Sequence, residues 1–172
     1  AGLVLGLLAG LVVQAHLTKP FLPIPPGKDQ TRQFHGWREL GGQISRITGE
    51  RPSGNGYILV SDKGTTAAEA VFYSGARLTG LDLFQPERYV FLGDLSTLRG
   101  RNAVLVLHGA NEAGLKRYEG YFDSIEAAGS HDSLFRGEKI DGLSVKLFVA
   151  RGFAGSWTPP SRQPPTPDAF RE

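Results

Sequence analysis

The sequence predicts a small α/β sandwich, its sheet mostly parallel with an antiparallel edge, preceded by the end of a transmembrane helix. Three observations predict it. Tyr57–Val60 and Ala103–Leu107 are apolar runs too short for helices, and each lies beside a stretch of helical periodicity, as buried parallel strands do. Leu143, Val145, Leu147 and Val149 alternate with other residues, the period of a strand. Every residue from Ala1 to Val13 is apolar or Gly.

That first run continues through Gln14, Ala15, His16 and Leu17 before the first charge at Lys19. A helix needs about 20 apolar residues to cross a bilayer, and the run falls short. Residues 1–17 therefore read as the tail of a spanning helix or as the h-region of a signal peptide. A signal peptide begins with Met and a basic segment, whereas this chain begins at Ala1 and contains no Met. Val13-Gln14-Ala15 is a passable cleavage pattern. The spanning-helix reading is preferred, and the chain reads as a fragment of a longer product. A buried core helix fits poorly with Gly2, Gly6 and Gly10.

Residues 18–34 carry Pro20, Pro23, Pro25 and Pro26, each of which fixes φ and biases its predecessor towards extended backbone. This reads as a stiff spacer holding a domain off the membrane. Lys19, Lys28 and Arg32 beside the apolar run favour, by the positive-inside rule alone, a cytoplasmic placement.

Residues 35–155 read as the folded domain. Trp37, Leu40, Ile44 and Ile47 recur at helical spacing between Arg38, Glu39, Gln43 and Arg46, with Gly49 and the turn before Gly56 ending the helix. Trp37 reads as an anchor of that helix, its indole N–H seeking a nearby acceptor. After the first strand, Thr65 or Thr66 caps a helix through Ala67, Ala68, Val71 and Phe72. Leu78–Phe84 reads as a second strand and Ala103–Leu107 as a third, followed by a turn at His108, Gly109 and Asn111. Glu112–Phe122 has helical spacing in Leu115, Tyr118 and Phe122 despite Gly114 and Gly120. Ser124–Ala128 and Leu143–Ala150 close the sheet, and residues 156–172, rich in Pro, Ser and Thr, read as a disordered tail.

Composition excludes several functions. The 172 residues, 40% hydrophobic and 21% charged, suit one domain with appendages. A net charge of +2 with no dense Lys/Arg stretch argues against nucleic acid as a partner. Without cysteine there is no disulfide, thiolate nucleophile or Cys-bearing zinc site. The cluster Gly54-Asn55-Gly56 precedes the first strand rather than following it, so it does not wrap a pyrophosphate; there is no Walker lysine either, and no cofactor is expected. No serine lies in a G-x-S-x-G turn, and His16, His35, His108 and His131 show no metal-ligand spacing, so no metal is expected.

What remains is a set of polar residues at predicted strand ends. His108, with Gly109, lies where open α/β sheets place ligand groups, although a polar residue ending a strand is the plainer reading. Asp62 and Lys63 end the first strand and Asp82 lies in the second, so the three fall at comparable edges of the sheet and outline a shallow polar cleft. Carboxylates so placed also serve simply as caps or face water. Asp62, Lys63, Asp82 and His108 are the candidate ligand or acceptor contacts; none is assigned as catalytic.

Read together, Gly36-Trp37-Arg38-Glu39-Leu40 after the proline-rich exit, Tyr57-Ile58-Leu59-Val60-Ser61-Asp62, Ala67-Ala68-Glu69-Ala70-Val71-Phe72-Tyr73, Gly100-Arg101-Asn102-Ala103-Val104-Leu105-Val106 and Arg151-Gly152-Phe153 form a pattern over His35 to Gly155. That pattern resembles the soluble C-terminal domain of bacterial glycosyltransferase family 39 membrane proteins, relatives of the protein mannosyltransferases and of the lipid A aminoarabinose transferase. The resemblance implies a Rossmann-like sandwich in the periplasm, attached to an inner-membrane enzyme that moves a sugar from a polyprenyl-phosphate donor to an acceptor. The implied partners are the lipid bilayer, the lipid-linked donor and an acceptor. The family's catalytic carboxylate lies in a first periplasmic loop outside this chain, so no catalytic residue is carried over. Where the family has an Asn-Gln-Tyr-Asp-like stretch after the second strand, this chain has Gln85-Pro86-Glu87-Arg88-Tyr89. A membrane-anchored assembly module without chemistry is the alternative, and a secreted hydrolase is held back by the missing nucleophile and base.

Overall fold

Five strands form one sheet in the order β2-β1-β3-β5-β4, in a computed structural model that describes residues 2–50, 54–109 and 112–157. The strands are β1 (Tyr57–Ser61), β2 (Thr79–Leu81), β3 (Asn102–His108), β4 (Ser124–Phe135) and β5 (Glu138–Arg151). β1 pairs in parallel with β2 and β3, and β5 runs antiparallel to both β3 and β4. The sheet is therefore mixed, with its parallel part at one side.

Both faces are covered. The helices are α1 (Gly2–Thr18), α2 (Trp37–Glu50), α3 (Gly64–Ser74) and α4 (Glu112–Glu119). Tyr57 and Leu59 of β1 pack with Leu40 and Ile44 of α2 and Ala67 and Ala70 of α3. Ile58 and Val60 point the other way, onto Tyr89, Leu95 and Leu98 of two 3-10 helices and Tyr118 of α4. All five residues of β1 are buried, which is why the run reads as continuously apolar. The sandwich thus has three layers.

This layering fixes where a ligand site belongs. The chain leaves β1, crosses one face through α3 and enters β2 on one side; it then returns across the other face through the 3-10 helices to β3 on the opposite side of β1. The carboxyl ends of β1 and β3 therefore flank a point where the connections diverge, and there the loops leave a crevice.

Several expectations are corrected. The second strand is three residues, not seven, because Asp82 bends the chain: its Oδ1 accepts the Phe84 amide at 3.0 Å. α3 begins at Gly64 with Lys63 at the cap and no side-chain capping bond, so neither Thr65 nor Thr66 caps it; Gly75 closes it in the left-handed region at φ 62°. α4 stops at Glu119 before Gly120. The closing strands run far beyond Ser124–Ala128 and Leu143–Ala150, as a long hairpin turned by Arg136 and Gly137 at φ 51° and 82°. Positive φ at both turn residues is the twist a two-residue hairpin needs. The polar stretch within β4 still packs inward, since buried His131 bonds Ser133 at 3.2 Å and Gln43 of α2 at 3.4 Å.

The N-terminal segment is apolar all round and outside the core: Leu3, Leu5, Leu7, Leu8 and Leu11 are all exposed. No helix among the described residues is long and apolar enough to cross a membrane. Proline-rich as it is, the connector from α1 to α2 folds into two 3-10 turns, Pro26–Lys28 and Gln30–Phe34, and is clasped. His16, 1% exposed, meets Asp29, also 1% exposed, at 2.8 Å through Nε2, while its Nδ1 accepts the amides of Phe21 and Leu22 at 3.0 and 3.1 Å. Nδ1 as acceptor leaves Nε2 as the donor. Burial pushes the Asp29 carboxyl up, but hydrogen bonds from Thr31 and His16 outweigh it and bring it down to about 2. Arg136 at the hairpin tip donates to the carbonyls of Leu22 and Ile24 at 2.7 and 3.0 Å. The connector is thereby fastened both to α1 and to the sheet.

The expected disordered tail lies mostly outside the described residues. Its first two members, Ser156 and Trp157, are described, and Trp157 lies against Tyr89 with ring centroids 6.0 Å apart.

Candidate functional site

Asp62 follows directly on β1 and His108 ends β3, so the parallel pairing of Ser61 with Val106 brings their side chains together across the crevice. His108 Nδ1 lies 2.8 Å from Asp62 Oδ1, and the His108 backbone N–H donates to Oδ2 at 3.1 Å. Behind them, the Ser61 hydroxyl donates to the Val106 carbonyl at 2.8 Å and ties the two strand ends together. The far imidazole nitrogen, Nε2, stands 3.3 Å from the Thr66 hydroxyl in the first turn of α3. Burial pushes the Asp62 carboxyl up, but the hydrogen bond and charge of His108 outweigh it, so its titration falls below the usual carboxylate range.

Carboxylate, imidazole and hydroxyl thus stand in a row, the order of a nucleophilic triad. Access argues against that chemistry. Thr66, unlike Tyr118, does not line the crevice, so no substrate carbon there reaches its oxygen. The row instead holds His108 in one orientation and presents Asp62, 28% exposed, as a fixed polar wall.

The crevice, about 150 Å3, is lined by Asp62, Leu107, His108, Gly109, Gly114, Arg117 and Tyr118. Tyr118 is 2% exposed, and its buried hydroxyl has no hydrogen-bond partner. Burial raises the titration of that phenol, and the charges of Asp62 and Asp82 add to the effect. The Arg117 guanidinium rests on the Phe84 ring at 3.9 Å.

Of the four residues the sequence picks out, two meet. Asp62 and His108 form the pair. Asp82 is close enough to feel the Asp62 charge but is 1% exposed and does not line the crevice; one oxygen accepts the Phe84 amide and the other, Oδ2, has no partner. Burial pushes the Asp82 carboxyl up, and the nearby Asp62 charge adds to this. The Lys63 side chain is exposed and off the crevice, because Lys63 serves α3 through its backbone, whose carbonyl accepts the Ala67 amide at 3.0 Å. Thr66, Arg117 and Tyr118 are missed by the sequence reading, which takes the first as a cap and the last as part of an apolar stripe. The signal that finds them is position: Arg117 and Tyr118 lie on the helix that immediately follows the strand ending in His108.

Comparison with family models, with curated proteins and with solved structures gave no match to this chain.

Proposed function

We propose that the chain is the water-exposed C-terminal part of an inner-membrane glycosyltransferase that uses a polyprenyl-phosphate sugar donor, with its Rossmann-like domain non-catalytic, in the periplasm, and contacting the acceptor. The observation that carries the reading is α1. It is apolar on every side and exposed from Gly2 to Ala15, which in water is unfavourable by about 25 cal/mol per Å2, so it calls for lipid or other transmembrane helices around it. The clasp of His16, Asp29 and Arg136 fits such an anchor, because it holds the domain at a fixed attitude to the helix rather than on a loose tether. The family resemblance of the segments from Gly36 to Phe153 supplies the class of enzyme.

In this reading the polar crevice at Asp62 and His108 faces the acceptor. Asp62→Ala and His108→Ala in the complete gene product should each raise the acceptor KM by about tenfold, as expected for loss of a hydrogen-bonding group, with kcat and donor KM little changed and the domain still folded. Unchanged acceptor KM in both variants would remove the crevice from acceptor binding.

A second reading, a membrane-anchored assembly module without chemistry, is favoured by one observation. Phe72, Val90 and Phe91 are 76%, 76% and 80% exposed and do not line the crevice. In that case both variants behave like the parent protein.

A further inference from the structure

We propose that the crevice between β1 and β3 is a binding site for one neutral sugar ring, held through its hydroxyls by Asp62 and the Tyr118 hydroxyl. The proposal deepens the transferase reading and rests on it for the source of the sugar; the chemistry of the crevice stands independently.

The first observation is unused hydrogen-bonding capacity. A buried hydroxyl without a partner carries a penalty of about 1–3 kcal/mol, yet Tyr118 holds its hydroxyl in this state while lining the crevice. A phenol both donates and accepts, so a ligand hydroxyl satisfies it in either sense. The second observation is the Asp62 carboxylate, whose Oδ2 accepts the His108 amide among the described residues and whose side chain remains 28% exposed. A carboxylate accepts from two hydroxyls on neighbouring carbons. Arg117, on the rim, adds donors.

The third observation is charge. Asp62 and Arg117 line the crevice, and behind them Asp82 feels the carboxylates of Asp62 and Glu87 together with the cation Arg88, so among these groups cations are not in excess and a phosphate or carboxylate gains little there. A metal ion is disfavoured differently: among the described residues no three His, Asp or Glu side chains converge as ligands. Size narrows the choice further. A space of about 150 Å3 holds about five waters' worth of volume and lies below the 300–1,000 Å3 usual for larger ligands. A single ring bearing several hydroxyls is the chemistry that fits.

The test is a titration of the full chain in detergent micelles, read by NMR at the His108 ring and the Gly109 and Gly114 amides. Glucose, mannose and galactose are the probes, with inorganic phosphate as the anionic control. At least one hexose should give saturable shifts at these signals in the millimolar range, about −4 kcal/mol, and phosphate should give none. Tyr118→Phe removes only a partnerless hydroxyl, so it should fold at least as well as the parent while binding about tenfold more weakly; Asp62→Asn should weaken binding similarly. No saturable shift with any hexose, saturation by phosphate, or unchanged binding in Tyr118→Phe would each overturn the proposal. Because the titration reads no sugar transfer, its failure leaves the transferase reading standing. Conversely, hexose binding persists if the complete gene product proves not to be a transferase.

Discussion

Gly41→Ala is expected to destabilise the domain by about 1–3 kcal/mol, which for a chain of this size lowers Tm by about 2–4 °C per kcal/mol. Gly41 is buried where α2 crosses the end of α3, and a Cβ there would run into the Tyr73 carbonyl and come within 2.8 Å of the Ser74 nitrogen. Those are backbone atoms, which cannot swing aside as a flexible side chain does. They are also pinned, since the Ser45 hydroxyl donates to the Ser74 carbonyl one turn further along α2. Relief therefore requires α2 to lift from α3, opening the layer that holds Leu40, Ile44 and Ala70. The neighbouring glycine supplies the control. Gly42 is exposed with nothing within 4 Å of an added Cβ, so Gly42→Ala should stabilise by about 0.5–1 kcal/mol through helix propensity alone. Thermal unfolding of the two variants checks the pair; equal shifts of the same sign would contradict the close crossing.

Asp82→Asn should stabilise the protein at pH 7 by about 1 kcal/mol, because it removes a buried charge while its amide nitrogen, equally without a partner, keeps part of the cost of a buried unsatisfied group. The variant keeps the oxygen that accepts the Phe84 amide and removes the charge from the oxygen that has no partner. Its pH dependence follows from the raised carboxyl titration. Unfolded, an Asp ionises near pH 3.9; folded, Asp82 holds its proton to higher pH. The cost of ionising it in the fold is therefore absent in acid and appears as pH rises through the folded titration. The advantage of Asp82→Asn should shrink as pH falls through the folded titration and be gone below about pH 4. Equal Tm differences at pH 3 and pH 7 would show that Asp82 is not held above its ordinary range. A residue that costs stability where it stands points to a role beyond stability, and Asp82 stands behind the Asp62–His108 crevice.

Much of this fold is legible in the sequence because burial on both sides leaves an unmistakable mark. Tyr57–Val60 and Ala103–Leu107 are apolar without interruption because helices cover both faces of β1 and β3. Asp62 and His108 are legible for the same reason, as polar residues at the ends of such runs. The long hairpin is not legible, because its inward positions include His131 and Ser133, polar residues satisfied by each other and by Gln43 rather than by apolar packing. Nor is Tyr118: at helical spacing between Leu115 and Phe122 it looks like core, and only the geometry shows its hydroxyl without a partner. The connector likewise hides its clasp, since nothing local pairs His16 with Asp29 thirteen residues on.

The most direct test of the membrane-transferase account is the complete open reading frame on the N-terminal side of Ala1, scanned for hydropathy. The account predicts many apolar spans of about 20 residues upstream, with an acidic loop after the first. A single span, or none, would contradict it and leave an anchored or secreted binding domain.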